Sequence, residues 1–129
     1  MVATDLISLA IAASKNAYVP YSHFPVGAAL KTKDGHIYTG CNVENASFGL
    51  SNCAERTAIF KAVSEGHQQF SEIAIYGETQ SPISPCGACR QVMSEFCDAT
   101  TPVTLIAKDG RTETRTVGDL LPYSFTDLS

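Results

Sequence analysis

An α/β fold, with a mixed sheet covered by helices on its faces, is the architecture this sequence predicts. Three segments carry apolar residues at helical spacing, and five others alternate with period two or run short and apolar. Their order reads αββαβαββ, with no internal repeat. At 129 residues with 44% hydrophobic side chains, the chain has the size of one domain with a single substantial core. Residues 1–129 read as one unit, because no like-charge block, low-complexity run or Ser/Pro-rich linker interrupts them.

The first element is helical, with Leu6, Leu9, Ala10, Ala13 and Ala17 at helical spacing, Thr4 as its cap and Pro20 closing the region. Val26, Ala28 and Leu30 alternate with small or polar residues, Asp34-Gly35 makes a turn, and Ile37, Thr39 and Cys41 resume the alternation, so a β-hairpin is expected. Ala58, Ile59, Ala62 and Val63 form the apolar stripe of a helix over 53–65, with Gly66 as its left-handed terminator. Phe70 to Tyr76 reads as a strand through Ile73, Ala74 and Ile75. Pro85 suits the first turn of a further helix bearing Ala88, Val92, Met93 and Phe96. Val103 to Ala107 is a short apolar strand, and Asp109-Gly110 turns it into the polar Thr112-Glu113-Thr114-Arg115-Thr116, an expected sheet edge.

The formal net charge is -4, and the nine Lys plus Arg are scattered, so no cationic face is expected for a phosphate backbone. Nucleic acid is therefore not expected as a partner. Met1 to Asp5 lacks the basic residues of a secretory leader, and no apolar run approaches the roughly 20 residues of a membrane span. The expected location is cytoplasmic, with no membrane partner. In that reducing compartment, five cysteines point to free thiols or metal ligands ahead of disulfides.

Cys86 and Cys89, three apart at the start of an expected helix, present both sulfurs to one side. Alone, the pair is compatible with core thiols, a redox couple or a metal site. Cys53, opening another expected helix, supplies a third soft ligand. Three thiolates without an evident fourth protein ligand describe a zinc site, one ion per chain, whose last position is left for water. Both helices would aim their positive N-terminal ends at the sulfurs and favour the thiolate. Cys41 and Cys97 lack ligand spacing and read as small core residues. His23, His36 and His67 stand in no metal-binding motif, so no histidine ligand is expected.

Glu55, two residues after Cys53, has two readings. Asn52-Cys53-Ala54-Glu55 is a capping-box pattern, in which Glu55 bonds back to the Asn52 backbone. Beside a three-cysteine zinc site, Glu55 is the general acid/base that takes a proton from the metal's water. Arg56 reads either as a solvated helix residue or as a guanidinium that offsets the thiolates' negative charge. Arg90, next to Cys89, is a further candidate for that second task.

Cys53-Ala54-Glu55 together with Pro85-Cys86-Gly87-Ala88-Cys89 resembles the zinc-dependent nucleoside deaminases. Phe24 to Leu30, Gly40 to Phe48, Cys53 to Ala58, Ser84 to Gln91, and Leu120-Leu121-Pro122 with Phe125 are similar to the short, homotetrameric cytidine deaminases, in order along almost the whole chain. The resemblance implies an α/β/α sandwich with a five-stranded mixed sheet. Cysteine at 53, where nucleotide and nucleic-acid deaminases usually carry histidine, points to the tetrameric branch. Asn42 and Glu44 are implied to hydrogen-bond the ribose hydroxyls, and a carboxylate there would repel phosphate, so a nucleoside is the expected substrate. The resemblance further implies that Phe24 packs on the pyrimidine, and that Ala54 with the Ser84-Pro85 backbone frames the base edge. Phe48 and Phe125 are implied to come from neighbouring subunits of a homotetramer with shared active sites. Many relatives carry Tyr where this chain has Phe48, so a hydroxyl contact from that position is absent.

The expected reaction is hydrolytic deamination of cytidine and deoxycytidine in pyrimidine salvage, with zinc-bound hydroxide as nucleophile and Glu55 as proton shuttle. A related deaminase acting on another amino-heterocycle, such as a blasticidin-type antibiotic, is disfavoured by Asn42-Val43-Glu44-Asn45. A noncatalytic zinc-stapled domain would require a fourth protein ligand. A polynucleotide-editing deaminase is disfavoured by the acidic balance.

Overall fold

The structure is a computed structural model that describes residues 2–125, with side chains from Leu6 onward. The elements follow the expected order: α1 (Val2–Ser14), β1 (Val26–Thr32), β2 (Ile37–Cys41), α2 (Ala54–Ser64), β3 (Phe70–Gly77), α3 (Gly87–Phe96), β4 (Pro102–Ile106), β5 (Thr112–Thr116) and α4 (Val117–Leu120). The strands form one five-stranded sheet in the order β2-β1-β3-β4-β5. Only the β3–β4 pair is parallel, and α3 is its crossover. The polar β5 lies at the sheet edge, as its Thr/Glu/Arg alternation predicts.

The period-two pattern divides the core into two layers. Val26, Ala28 and Leu30 of β1, Ile73 and Ile75 of β3, and Val103 and Leu105 of β4 face Ala58, Ile59 and Ala62 of α2, Met93 of α3, and Val117 and Leu120 of α4. The intervening Ala29, Ala74, Tyr76 and Ile106 face Leu6 and Ala10 of α1 on the opposite side. The result is the three-layer α/β/α sandwich. Both helical layers approach the sheet closely where it carries glycine. A Cβ at Gly27 would fall 1.9 Å from the Ala10 carbonyl oxygen, and one at Gly40 would fall 2.5 Å from the Ala58 nitrogen and 2.7 Å from the Ala54 oxygen.

Several details depart from expectation. The first helix begins at Val2, ahead of the expected cap Thr4, whose side chain lies outside the described residues, and it ends at Ser14, before Ala17. There Ser14 Oγ donates back to the Ile11 carbonyl (2.6 Å), and the chain leaves through a series of tight turns. Pro85 precedes α3 instead of opening it, because Cys86 takes the N-cap position and the helix starts at Gly87. A 3-10 turn at Phe48–Leu50 and the short α4 were not expected. The second had a signal, since Thr116 and Asp119 form a reciprocal capping box.

The register gathers the functional loops. Val26 pairs with Gly77 and Gly27 with Cys41, so the start of β1 and the ends of β2 and β3 share one edge. Residues 20–25, 42–53 and 78–86 all attach there. Among the described residues, no helix is long and apolar enough to cross a membrane.

Gly40→Ala is expected to destabilise the protein by about 1–3 kcal/mol, because the added methyl meets the α2 backbone and not a yielding side chain. Urea unfolding would measure it, and an unchanged midpoint would show that α2 can move off β2 freely.

Candidate active site

Cys53 and Cys86 are the N-caps of α2 and α3, both with extended backbone angles, so the positive ends of two helices meet at the sulfurs. Cys53 Sγ lies 3.7 Å from Cys86 Sγ, and Cys86 Sγ lies 3.3 Å from Cys89 Sγ. The three sulfurs all fall within 4.8 Å of one another. A tetrahedral site with Zn–S bonds of about 2.3 Å places its sulfurs about 3.8 Å apart, so the donor set fits zinc. Glu55 is not a member of this cluster, which among the described residues contains only the three cysteines. The zinc-stapled reading therefore lacks its fourth protein ligand.

Charge at the sulfurs is compensated by specific donors. The Cys89 backbone N–H points at Cys86 Sγ (3.4 Å). Hydrogen bonds from the Cys89 thiol and from Arg56 lower the Cys53 thiol to about 5 against the cost of burial. The Cys89 thiol is pushed up, first by its hydrogen bond to Cys53 and then by burial. A divalent ion is what would let the three sulfurs ionise together. Arg56 donates through Nη2 to Cys53 Sγ (3.2 Å), which supports the charge-offsetting reading over that of a solvated helix residue. Its buried Nε has no partner.

Arg90 does not take up the parallel role. Its guanidinium is engaged by the Pro85 carbonyl (2.9 Å), the Leu120 carbonyl (2.7 Å) and Ser84 Oγ (2.6 Å), so it ties the loop before Cys86 to the end of α4. Of the other two cysteines, Cys97 packs against the core, and burial pushes its thiol up to about 12. Cys41 is half-buried at the end of β2.

The capping-box reading of Glu55 fails. Cys53 is the N-cap of α2, the Asn52 amide donates to Thr57 Oγ1 (3.1 Å), and the Asn52 backbone N–H donates to the Val43 carbonyl (2.8 Å). Glu55 is instead buried, at 5% exposure, and burial raises its carboxyl above the usual range, with the Cys53 charge adding to the effect.

A cleft of about 330 Å³ brings Glu55 together with Cys53, Cys86 and Ala54, and its other walls include Phe24, Asn42, Glu44 and Ser84. Val43 is pinned between Tyr18 and Asn52 by isolated bridges, which fixes the residues on either side of it. Asn42 accepts from the Val26 N–H and donates to the Phe24 carbonyl, both at 2.9 Å. Glu44 accepts from the Tyr21 and Ser22 N–H groups (3.0 and 3.1 Å) and from the Ser22 hydroxyl, a set that lowers its carboxyl. Ser22 and the wall residue Ile83 were not foreseen. Ile83 does have a sequence-level correlate in Gly77, where a Cβ would come 2.4 Å from Ile83 Cδ1 and 3.3 Å from the Phe24 ring. Phe48 and Phe125 lie outside this cleft, with exposures of 78% and 62%.

Arg56→Ala is expected to lower zinc affinity about 10- to 100-fold by leaving the thiolate charge uncompensated. Competition with a chromogenic chelator would measure this, alongside a content of about one tightly held zinc per wild-type chain. Equal affinity in the variant would return Arg56 to the role of an ordinary helix residue.

Comparison with known proteins agrees with this geometry. The family model for the cytidine and deoxycytidylate deaminase zinc-binding region matches residues 2–105. A cytidine deaminase from Sporosarcina psychrophila is 54% identical over 126 residues, covering 96% of this chain and 93% of its own length. One from Halalkalibacterium halodurans is 56% identical over 121 residues, covering 94% and 92%. The crystal structure of cytidine deaminase from Burkholderia pseudomallei, 54% identical, superposes with a TM-score of 0.94 over 97% of this chain and 100% of that one. The chain is therefore an enzyme of the zinc-binding cytidine and deoxycytidylate deaminase family, and the metal its cysteine cluster takes is zinc.

Proposed function

We propose that this chain converts cytidine and deoxycytidine, with water, to uridine and deoxyuridine plus ammonia, as a step of pyrimidine salvage. The observation that carries the reading is the buried carboxylate of Glu55 in one cleft with the sulfur cluster, facing Asn42 and Glu44. The curated relatives are themselves called cytidine deaminases.

Held by Cys53, Cys86 and Cys89, zinc supplies Lewis acidity that makes water a nucleophile at neutral pH. Glu55 takes a proton from the attacking water and delivers it to N3 of the cytosine ring, which makes C4 electrophilic, and the water oxygen bonds to C4. The same carboxylate then carries the hydroxyl proton to the amino group, which departs as ammonia. One residue serves as base and then as acid.

Phe24 packs on the pyrimidine, while Ala54 and the Ser84-Pro85 backbone frame its edge. Asn42 and Glu44 take the ribose hydroxyls with their remaining capacity. Each of the two Asn42 amide heavy atoms keeps one hydrogen-bonding site after its backbone contact. No Lys or Arg lines the cleft among the described residues, and the Glu44 anion disfavours phosphate, which supports a nucleoside over a nucleotide or nucleic acid.

Phe48 and Phe125 of neighbouring subunits close the cleft in a homotetramer. Their exposure supports this, since two aromatic rings left in water gain from being covered. A cytoplasmic location agrees with cysteines that are all free.

Cytidine, deoxycytidine, CMP and adenosine followed by ultraviolet absorbance test the reading directly. Wild-type protein should turn over the first two, and Glu55→Gln should keep zinc and fold while losing about 10²–10⁴-fold in kcat. Near-normal turnover in that variant would remove Glu55 from the mechanism.

The shared site is tested by complementation. Mixing Glu55→Ala with Phe125→Ala chains under subunit exchange should raise activity above the sum of the parents, because some hybrid sites receive both intact residues. If native mass spectrometry confirms exchange and activity does not rise, each site is built within one chain.

A further inference from the structure

The cysteine cluster and Glu55 occupy the N-terminal end of α2. At the other end, Asp34, His36 and His67 converge from two separate stretches of chain and have no part in the proposed reaction. One donor atom from each lies within 4.8 Å of the others. His36 Nδ1 is 3.2 Å from Asp34 Oδ1, and His67 Nδ1 is 3.4 Å from Asp34 Oδ2. The first is a long hydrogen bond, and the second lies beyond the ordinary range of about 2.7–3.2 Å. They match two donors of one ion, since metal–ligand bonds of about 2.0–2.2 Å place neighbouring donors about 3–3.5 Å apart.

The scaffold holds these groups before any ion arrives. Thr32, buried in β1, donates its hydroxyl to Asp34 and accepts the His36 backbone N–H (2.9 Å), while the Thr32 and His36 backbones pair across the turn (2.8 Å). Gly66, with φ of 97°, ends α2 in a Schellman motif: its N–H bonds the Val63 carbonyl and the next N–H, that of His67, bonds Ala62 (both 3.0 Å). His67 is thereby set against the His36 and Tyr38 rings, with centroids 4.5 and 5.6 Å away. The Lys33 ammonium next in sequence to Asp34 is engaged by Asp98 (2.9 Å). The Thr32 hydroxyl, followed by His36, holds the Asp34 carboxyl down at about 2, so the acid is anionic throughout the physiological range.

We propose that Asp34, His36 and His67 form a second, exchangeable site for a borderline divalent transition-metal ion of the zinc, nickel and copper class. Two imidazoles and one carboxylate suit such ions, whereas magnesium and calcium take oxygen donors. The side chains of Asp34 and His36 are more than half exposed, at 58% and 60%, and that of His67 is 20% exposed, so water completes the coordination and the ion exchanges freely. Occupancy would tie the β1–β2 turn to the C-terminal end of α2. Spacing in the sequence conceals the site, because the two histidines stand in no common motif and meet only through the sheet register.

Nickel is the probe, added to the full chain already carrying zinc in its cysteine cluster. Calorimetric titration should find one nickel per chain, with zinc content unchanged. His36→Gln and His67→Gln should each weaken that binding by at least about ten-fold. Nickel should also raise the Tm of the wild type and not of His36→Gln, as expected for an ion that binds only the folded state. Cytidine turnover without nickel should be the same in wild type and His36→Gln, which separates this site from the reaction. Should His67→Gln fail to fold, the exposed His36→Gln decides. No uptake at millimolar nickel would overturn the proposal, as would an affinity in His36→Gln equal to that of the wild type.

Discussion

Three cysteine sulfurs held within 4.8 Å of one another are the constraint on which the rest of this structure depends. Three thiolates at that range repel strongly, and in the protein alone the Cys53 thiol is lowered while that of Cys89 is pushed up. The compensation is distributed through the fold: two helix N-termini, the Cys89 N–H on Cys86, and Arg56 on Cys53. Zinc completes it. Folding and metal binding are therefore one problem here, since the ion's charge is what stabilises the convergence of α2 and α3.

That convergence is a consequence of register. The start of β1 and the ends of β2 and β3 coincide, so loops that are distant in sequence are delivered to a single sheet edge. The parallel β3–β4 pair requires a crossover, and the crossover helix is the one that carries Cys86 and Cys89. Gly40 allows α2 to lie directly on β2, which brings Cys53 and Glu55 to the same place. Arg90 then anchors the approach to Cys86 by three contacts, two of them to backbone carbonyls. A guanidinium beside a cysteine reads as a partner for sulfur until the carbonyls around it are known.

The sequence made legible whatever depends on local periodicity or on close spacing. Both layers of the core follow from period-two strands and apolar helix stripes, and the cysteine cluster follows from spacing together with helix starts. Glu55 was ambiguous because a capping box and a catalytic carboxylate place glutamate at nearly the same offset. Only the Asn52 contacts and the burial of Glu55 separate the two readings. Asn42 and Glu44 were reached through family resemblance alone, because their orientation depends on the Val43 bridges to Tyr18 and Asn52, contacts that leave no local pattern. The Asp34, His36 and His67 cluster was invisible for the same reason.

On the proposed reading, more than one chain completes the working site, and the cleft is consistent with that. Proton transfer by a single carboxylate is most effective where bulk water is excluded, because each electrostatic contact strengthens as the local dielectric falls. Glu55 is already dry, yet in the wall of the same cleft Ser22 is exposed and Glu44 only half-buried. The same chain leaves Phe48 and Phe125 exposed, the first on a 3-10 turn and the second on a segment whose Phe125 carbonyl accepts from the Gln91 amide of α3 (2.7 Å). An open wall and uncovered aromatic rings are two costs of isolation. On the proposed reading, one event removes both, since the rings of a neighbouring subunit bury their own surface by closing this cleft.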